Sequence, residues 1–185
     1  AKKTNSFAFS SQLDSSTPTK QVTRADGTAV TLYALPILPA SPFRTTDSRS
    51  GIEFSYDAQQ LIDDYRARGR RLPLDIEHNT ERGGDTRARG WTVDLTTDAL
   101  EPGLGLVPGV LYGWYELTPL GLQEHNDKLY GYTSGVASGF WIDETHAHFT
   151  RIKSNARTNN PATEVPFSFC AEDDEGAPDE TGYTR

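Results

Sequence analysis

His78 and Ser134 are the residues of this chain whose types and surroundings could support nucleophilic catalysis. His78 follows a short apolar run, residues 72–76, and precedes a Gly-rich charged segment, as a base at a strand end would. Ser134 lies in residues 130–136, where glycines leave room for a substrate backbone. A serine nucleophile needs a base and a third group that orients the base. On the pattern alone, each residue is more typical of an ordinary structural position, so both interpretations stay open.

A metal site is the competing chemistry, because carboxylates and imidazoles occur close together in the sequence. His146 and His148 are two residues apart, so a strand would place both imidazoles on one face. Asp75 and Glu77 adjoin His78 and add possible carboxylate ligands. Neither an HExxH motif nor a cysteine pair accompanies them. We therefore expect no metal and no other cofactor, with His146 and His148 as exposed strand residues.

Composition limits the class of protein. The 185 residues suffice for one domain with a buried core. The net charge of −8 argues against a general nucleic-acid binder, which would present a basic surface. The single cysteine excludes an intrachain disulfide and suits a reducing compartment. No apolar run approaches the roughly 20 residues that a membrane-spanning helix needs. Neither nucleic acid nor membrane is therefore an expected partner.

Apolar periodicity predicts the elements that would position these residues. Helical spacing predicts a helix over residues 55–68, capped by Ser55, and a second short helix within residues 118–124. Pro36 and Pro39 are expected to end the first strand. Segments rich in β-branched and aromatic residues predict strands over residues 30–35, 72–76, 90–95, 109–117, 129–136, 139–142 and 147–152. This content predicts an α+β fold in which a β-barrel or sandwich has flanking helices.

Several segments, in order along the chain, resemble the Mu-type phage I protein family of head-maturation proteases. They resemble more remotely the capsid-scaffold proteases of other tailed phages. Residues 42–49 are similar to the family's Phe-x-x-x-Asp-Gly-Arg segment, although Ser48 replaces the glycine. Residues 72–80 and 88–91 resemble the histidine motif and the Gly-Trp strand that follows it. The later landmarks are residues 111–118, the serine motif at 132–134, and the Thr-Asn-x-Pro-Ala signature at 158–162. The resemblance covers roughly residues 30–165.

The resemblance implies a serine protease with a fold similar to the herpesvirus assembly proteases, which is a β-barrel surrounded by helices. It implies Ser134 as the nucleophile and His78 as the general base. It favours Asp47 as the third member of the triad, because a carboxylate holds the imidazole tautomer and stabilises its cation. His148 or His146 is the alternative, since herpesvirus proteases use a second histidine after the serine.

The implied function is cleavage of the phage scaffold protein, the major capsid protein and the protease itself during capsid maturation. The implied location is the assembling prohead in the host cytoplasm, and the dimeric herpesvirus relatives make a homodimer an expectation. The alternative is a non-catalytic assembly module, associated with capsid or scaffold, that keeps the same fold. The expected organisation is a flexible N-terminal arm over residues 1–28, a protease domain over 29–170 and an acidic disordered tail or linker over 171–185.

Overall fold

The structure, a computed structural model, describes residues 17–44, 51–79, 83–159 and 168–171. Within these ranges, ten strands form one mixed sheet and two helices lie against it. The strands are β1 (Thr19–Thr23), β2 (Ala29–Leu38), β3 (Phe43–Arg44), β4 (Glu53–Tyr56), β5 (Pro73–Ile76), β6 (Gly90–Thr96), β7 (Leu111–Leu117), β8 (Tyr132–Asp143), β9 (His146–Thr158) and β10 (Ser168–Ala171). The helices are α1 (Ala58–Arg68) and α2 (Pro119–Asn126). The predicted α+β class is confirmed.

The sheet is built around β9. Hydrogen-bonded neighbours run in the order β1-β2-β7-β6-β5-β9. β9 pairs in parallel with β5 and with β4, and antiparallel with β8 along its whole length. β4 also pairs with β3, and β8 carries β10 in parallel. β9 therefore has strands from both halves of the chain as neighbours, β4 and β5 from the first half and β8 from the second.

The sheet is open, so the expected closed barrel is wrong. Among the described strands, no ladder joins β2 to β8. The two strands are bridged instead at the Pro36 carbonyl oxygen, which accepts hydrogen bonds from Thr133 Oγ1 at 2.7 Å and from Asn155 Nδ2 at 3.0 Å. Pro36 has no N–H to donate, and the β2–β7 register shifts between Pro36 and Leu38. This stretch of β2 is therefore poorly suited to extend a ladder. The likeness to the herpesvirus proteases stays a prediction.

Several predicted limits differ from the structure, and β9 runs over His146–Thr158 where a strand over residues 147–152 was expected. β2 continues through Pro36, because the register shift there accommodates a residue that cannot donate to the ladder. The two strands predicted over residues 129–142 are one strand, β8, which passes through bulges. β1 lies in the span expected to be a flexible arm, yet it pairs with β2 from Thr19 to Thr23. Part of that span is therefore a strand of the sheet, and residues 1–16 and 172–185 lie outside the described residues.

α1 begins one turn later than predicted and packs on the largest core cluster. Asp57, not Ser55, is its N-cap, and its carboxylate accepts a hydrogen bond from Gln60 N at 3.0 Å. Ser55 belongs to β4. Gly69, with φ of 60°, ends the helix in the left-handed conformation that favours glycine. The buried face of α1 consists of Leu61, Ile62 and Tyr65.

A smaller core cluster supports the strand that leads to His78. Leu74 of β5 is fully buried and packs with Leu35 and Tyr115 from β2 and β7. Burial raises the pKa of the Tyr115 phenol well above its ordinary value. β5 is short, but it pairs with β6 on one side and β9 on the other. Its end is therefore held firmly in the sheet.

Candidate active site

The structure brings together His78 and Ser134, which are 56 residues apart in the sequence. His78 Nε2 lies 3.0 Å from Ser134 Oγ, which is hydrogen-bond distance and the reach that a general base requires. Both side chains are buried, with 5% of His78 and 1% of Ser134 exposed. The pair therefore lies in a low-dielectric environment, where a hydrogen bond is electrostatically stronger than in water.

Ser134 is positioned by the central strands of the sheet. It pairs with Ala156 of β9, and Ala156 pairs in turn with Asp75 of β5. Cross-strand partners project from the same face of a sheet, so Ser134 and Asp75 share one face on either side of Ala156. Asp75 is fully buried. The ionisable side chain of Asp75 thus lies on the face that carries Ser134.

A strained turn aims His78 at β8. Glu77 and His78 follow β5 with φ values of 51° and 58°, which are uncommon for residues other than glycine. Such residues cost roughly 1–3 kcal/mol each and persist only where the surroundings hold them. Here Glu77 N donates to Arg157 O at 3.0 Å, and the Glu77 carboxylate accepts from Thr158 Oγ1 at 2.9 Å and from Asn159 N at 3.3 Å. Glu77, predicted only as a possible ligand, is therefore the anchor of the turn that carries His78.

Gly135 lets β2 approach β8, the strand that carries Ser134. A Cβ at this position would lie 2.4 Å from the Ile37 carbonyl oxygen. The glycine is needed for this contact between strands, whereas the sequence suggested room for a substrate. The neighbouring Thr133 donates to Pro36 O on the same strand, β2. Ser134 is therefore flanked by two residues that are tied to β2.

Arg157 is a fully buried cation on the strand beside Ser134, and sequence reasoning missed its role. It pairs with Thr133 and with Ile76, so its side chain projects from the face opposite to Ser134. Arg157 Nη1 donates to Gly121 O at 2.8 Å, while Nε and Nη2 have no hydrogen-bond partner among the described residues. Burial lowers the pKa of this guanidinium to about 10. Its only sequence signal is its place beside the Thr-Asn-x-Pro-Ala signature.

The structure does not bring the alternative third members to the pair. His148 Nδ1 lies 2.9 Å from Ser55 Oγ, near the start of β9. Ala156, the partner of Ser134, lies eight residues further along β9, a span of about 26 Å for an extended strand. His146 lies further still and is partly exposed. Asp47 lies outside the described residues.

Neither a metal-binding cluster nor a membrane-spanning helix is found among the described residues. The described part of the chain contains no group of three or more His, Cys, Asp or Glu side chains arranged to hold a metal ion. The carboxylate of Glu77 is engaged by Thr158 and Asn159, as described above. Neither of the described helices has the length and apolar character needed to cross a membrane.

Comparison with known protein families identifies the class. The family model of the Mu-like prophage I protein, N-terminal domain, matches residues 35–166, a span that contains both His78 and Ser134. The match defines a phage-related protein. The chain belongs to the Mu-like prophage I protein family, which confirms the resemblance carried by its motifs. Neither a curated protein nor a solved structure matches the chain.

Proposed function

We propose that this chain is a serine endopeptidase in which Ser134 is the nucleophile and His78 the general base. The observation that supports this most directly is the 3.0 Å approach of His78 Nε2 to Ser134 Oγ, made through a strained turn. Nε2 takes the hydroxyl proton as Oγ attacks the carbonyl carbon of a peptide bond. The imidazolium then gives that proton to the leaving amine, and water hydrolyses the acyl-enzyme.

The third member and the substrates are proposed from the family resemblance. Asp47 would orient the His78 ring and stabilise its cation. The substrates would be the scaffold protein, the major capsid protein and the chain itself, cleaved inside the assembling prohead in the host cytoplasm. Confinement there raises the effective concentration of each substrate, so weak intrinsic affinity suffices. A homodimer is the proposed assembly.

A second candidate function is a non-catalytic assembly module with the same fold. The observation that favours it is burial, because only 1% of Ser134 and 5% of His78 is exposed. A peptide cannot reach an oxygen that other residues cover. In this alternative the Ser134–His78 hydrogen bond only holds β8 and the turn after β5 together.

The test is to co-express the full chain with the scaffold and capsid proteins of its phage and read the products by intact-mass spectrometry. Ser134→Ala is compared with Ser154→Ala, a matched control, because Ser154 is also buried and its hydroxyl has no hydrogen-bond partner among the described residues. We expect cleavage in wild type and Ser154→Ala, and none in folded Ser134→Ala. A fluorophosphonate probe should label Ser134, and His78→Ala should slow that labelling strongly.

Either of two results would decide against a serine protease with Ser134 as its nucleophile. Equal cleavage by Ser134→Ala and wild type would show that Ser134 is not the nucleophile. Absence of both cleavage and labelling in wild type, with circular dichroism showing a folded chain, would support the assembly module.

A further inference from the structure

Among the described strands, β10 alone pairs with the second edge of β8, the strand that carries Ser134. β9 pairs with β8 from Tyr132 to Asp143, so that edge is taken along its whole length. On the other edge, β10 pairs in parallel with residues Val136–Gly139 alone. Val136 is two residues beyond Ser134, so an extended segment on this edge passes directly beside the nucleophile.

Among the described residues, this edge is the approach to β8 that the covered faces leave. Successive residues of a strand point to opposite faces, yet Ser134, Val136, Ala137 and Ser138 are all buried. Both faces are therefore covered, and a peptide must come in at the edge. An open strand edge presents unpaired N–H and C=O groups, which bind an extended peptide through main-chain hydrogen bonds.

The covering strand comes from outside the matched domain. The family match ends at residue 166, and β10 spans Ser168–Ala171. Among the described residues of the matched domain, no strand pairs with this edge of β8. A segment joined to the end of β9 through residues 159–167 reaches that edge at high effective concentration, as tethered segments do.

We propose that the outer edge of β8 at Val136–Gly139 is the docking site for an extended substrate peptide, and that β10 occupies this edge in place of substrate. The inference rests on the proposed function, because it says how the substrate of Ser134 is bound. In the resting chain β10 lies on this edge from Val136 onward, two residues beyond Ser134. Substrate binds when its extended backbone replaces β10.

A reversible crosslink tests this in the full chain. Cys170 is the only cysteine, and its Cα partner in the ladder is Ser138. Cα atoms of paired strands lie about 5 Å apart, within the range that a disulfide spans. In Ser138→Cys, mild oxidation should therefore join β10 to β8. Ser154→Cys is the control, because residue 154 pairs with Val136 on β9's side of β8 and does not face β10.

The inference predicts that oxidised Ser138→Cys forms the disulfide and cleaves scaffold protein at least about tenfold more slowly than the same variant after reduction. Oxidised Ser154→Cys and wild type should be unaffected. A second measurement uses Phe169→Pro and Cys170→Pro. Alternate residues of a strand donate to a given neighbour, so one of these prolines breaks the ladder and should speed fluorophosphonate labelling severalfold while the other does not.

Each other outcome overturns the inference in a recognisable way. A folded Ser138→Cys that forms no disulfide would show that β10 does not occupy the edge. A disulfide that forms without slowing cleavage would show that substrate uses another route, with the protease itself intact. Absence of both labelling and cleavage in reduced wild type would remove the proposed function as well, even where the disulfide forms in Ser138→Cys.

Discussion

Gly135→Ala tests whether the contact between β2 and β8 holds the nucleophile in place. The added Cβ would lie 2.4 Å from the carbonyl oxygen of Ile37 and 2.8 Å from its Cγ2. Contacts under 3.0 Å essentially never occur for a Cβ, so one strand must move by at least 0.6 Å relative to the other. The nearest atom belongs to the backbone, so rotation of a side chain does not relieve the clash. We expect the free energy of unfolding to fall by about 2–3 kcal/mol, the upper part of the range for overpacking.

The same shift should disturb the Ser134–His78 pair, because Ser134 precedes Gly135 on β8. A misplacement near 1 Å costs a reaction roughly a hundredfold, so we expect fluorophosphonate labelling of Ser134 to slow by about one to two orders of magnitude. Stability is measured by urea unfolding, followed by the fluorescence of the three tryptophans. Gly131→Ala is the control, since its nearest atom would be Asn159 Oδ1 at 4.0 Å. We expect that control to stay within about 0.5 kcal/mol of wild type. If Gly135→Ala matched the control in both measurements, the close packing of β2 on β8 would be refuted.

The remaining predictions concern the turn, the core and the hairpin. Glu77→Ala removes the acceptors that hold the turn carrying His78, so the cleavage rate should fall by about tenfold and the unfolding free energy by about 1 kcal/mol. Glu77→Gln should recover part of the rate. Unchanged kinetics in Glu77→Ala would contradict the anchoring role. Thr92→Val leaves two buried donors, Leu72 N and the Tyr65 hydroxyl, without the oxygen they share at 2.7 and 2.9 Å. We expect a loss of about 2–3 kcal/mol in urea unfolding, restored by Thr92→Ser. The backbone of the β8–β9 turn and a neighbouring imidazole lower the pKa of Asp143 from 3.8 to about 2. A depressed carboxyl pKa stabilises the fold above the unfolded value, so Asp143→Asn should lower stability above about pH 4, and the difference should vanish as the pH falls to about 2.

The burial of the Ser134–His78 pair is compatible with both proposed functions. A buried, hydrogen-bonded pair strengthens a sheet whether or not it reacts. Reactivity needs a route to Ser134 Oγ, and the edge of β8 is the route that the covered faces leave. The crosslink between β10 and β8 therefore tests whether β10 closes that route in the resting chain.

Local sequence was sufficient where structure depends on short-range periodicity. The apolar stripe of α1 is visible as helical spacing, and β6 and β7 follow from their aromatic and β-branched residues. Pro36 shows where this reasoning fails. A proline usually ends a strand, but here a register shift in the β2–β7 pair absorbs it, and that shift depends on a partner strand far away in the sequence.

The sequence by itself determined the family, the candidate pair and most of the elements, because motifs and periodicity are carried by neighbouring residues. Only the tertiary structure decided that His78 and Ser134 meet at 3.0 Å, that Glu77 anchors the turn that carries His78, and that His148 lies at the far end of β9. These are consequences of strand register. Register is set by packing between segments that are distant in sequence, so no local pattern contains it.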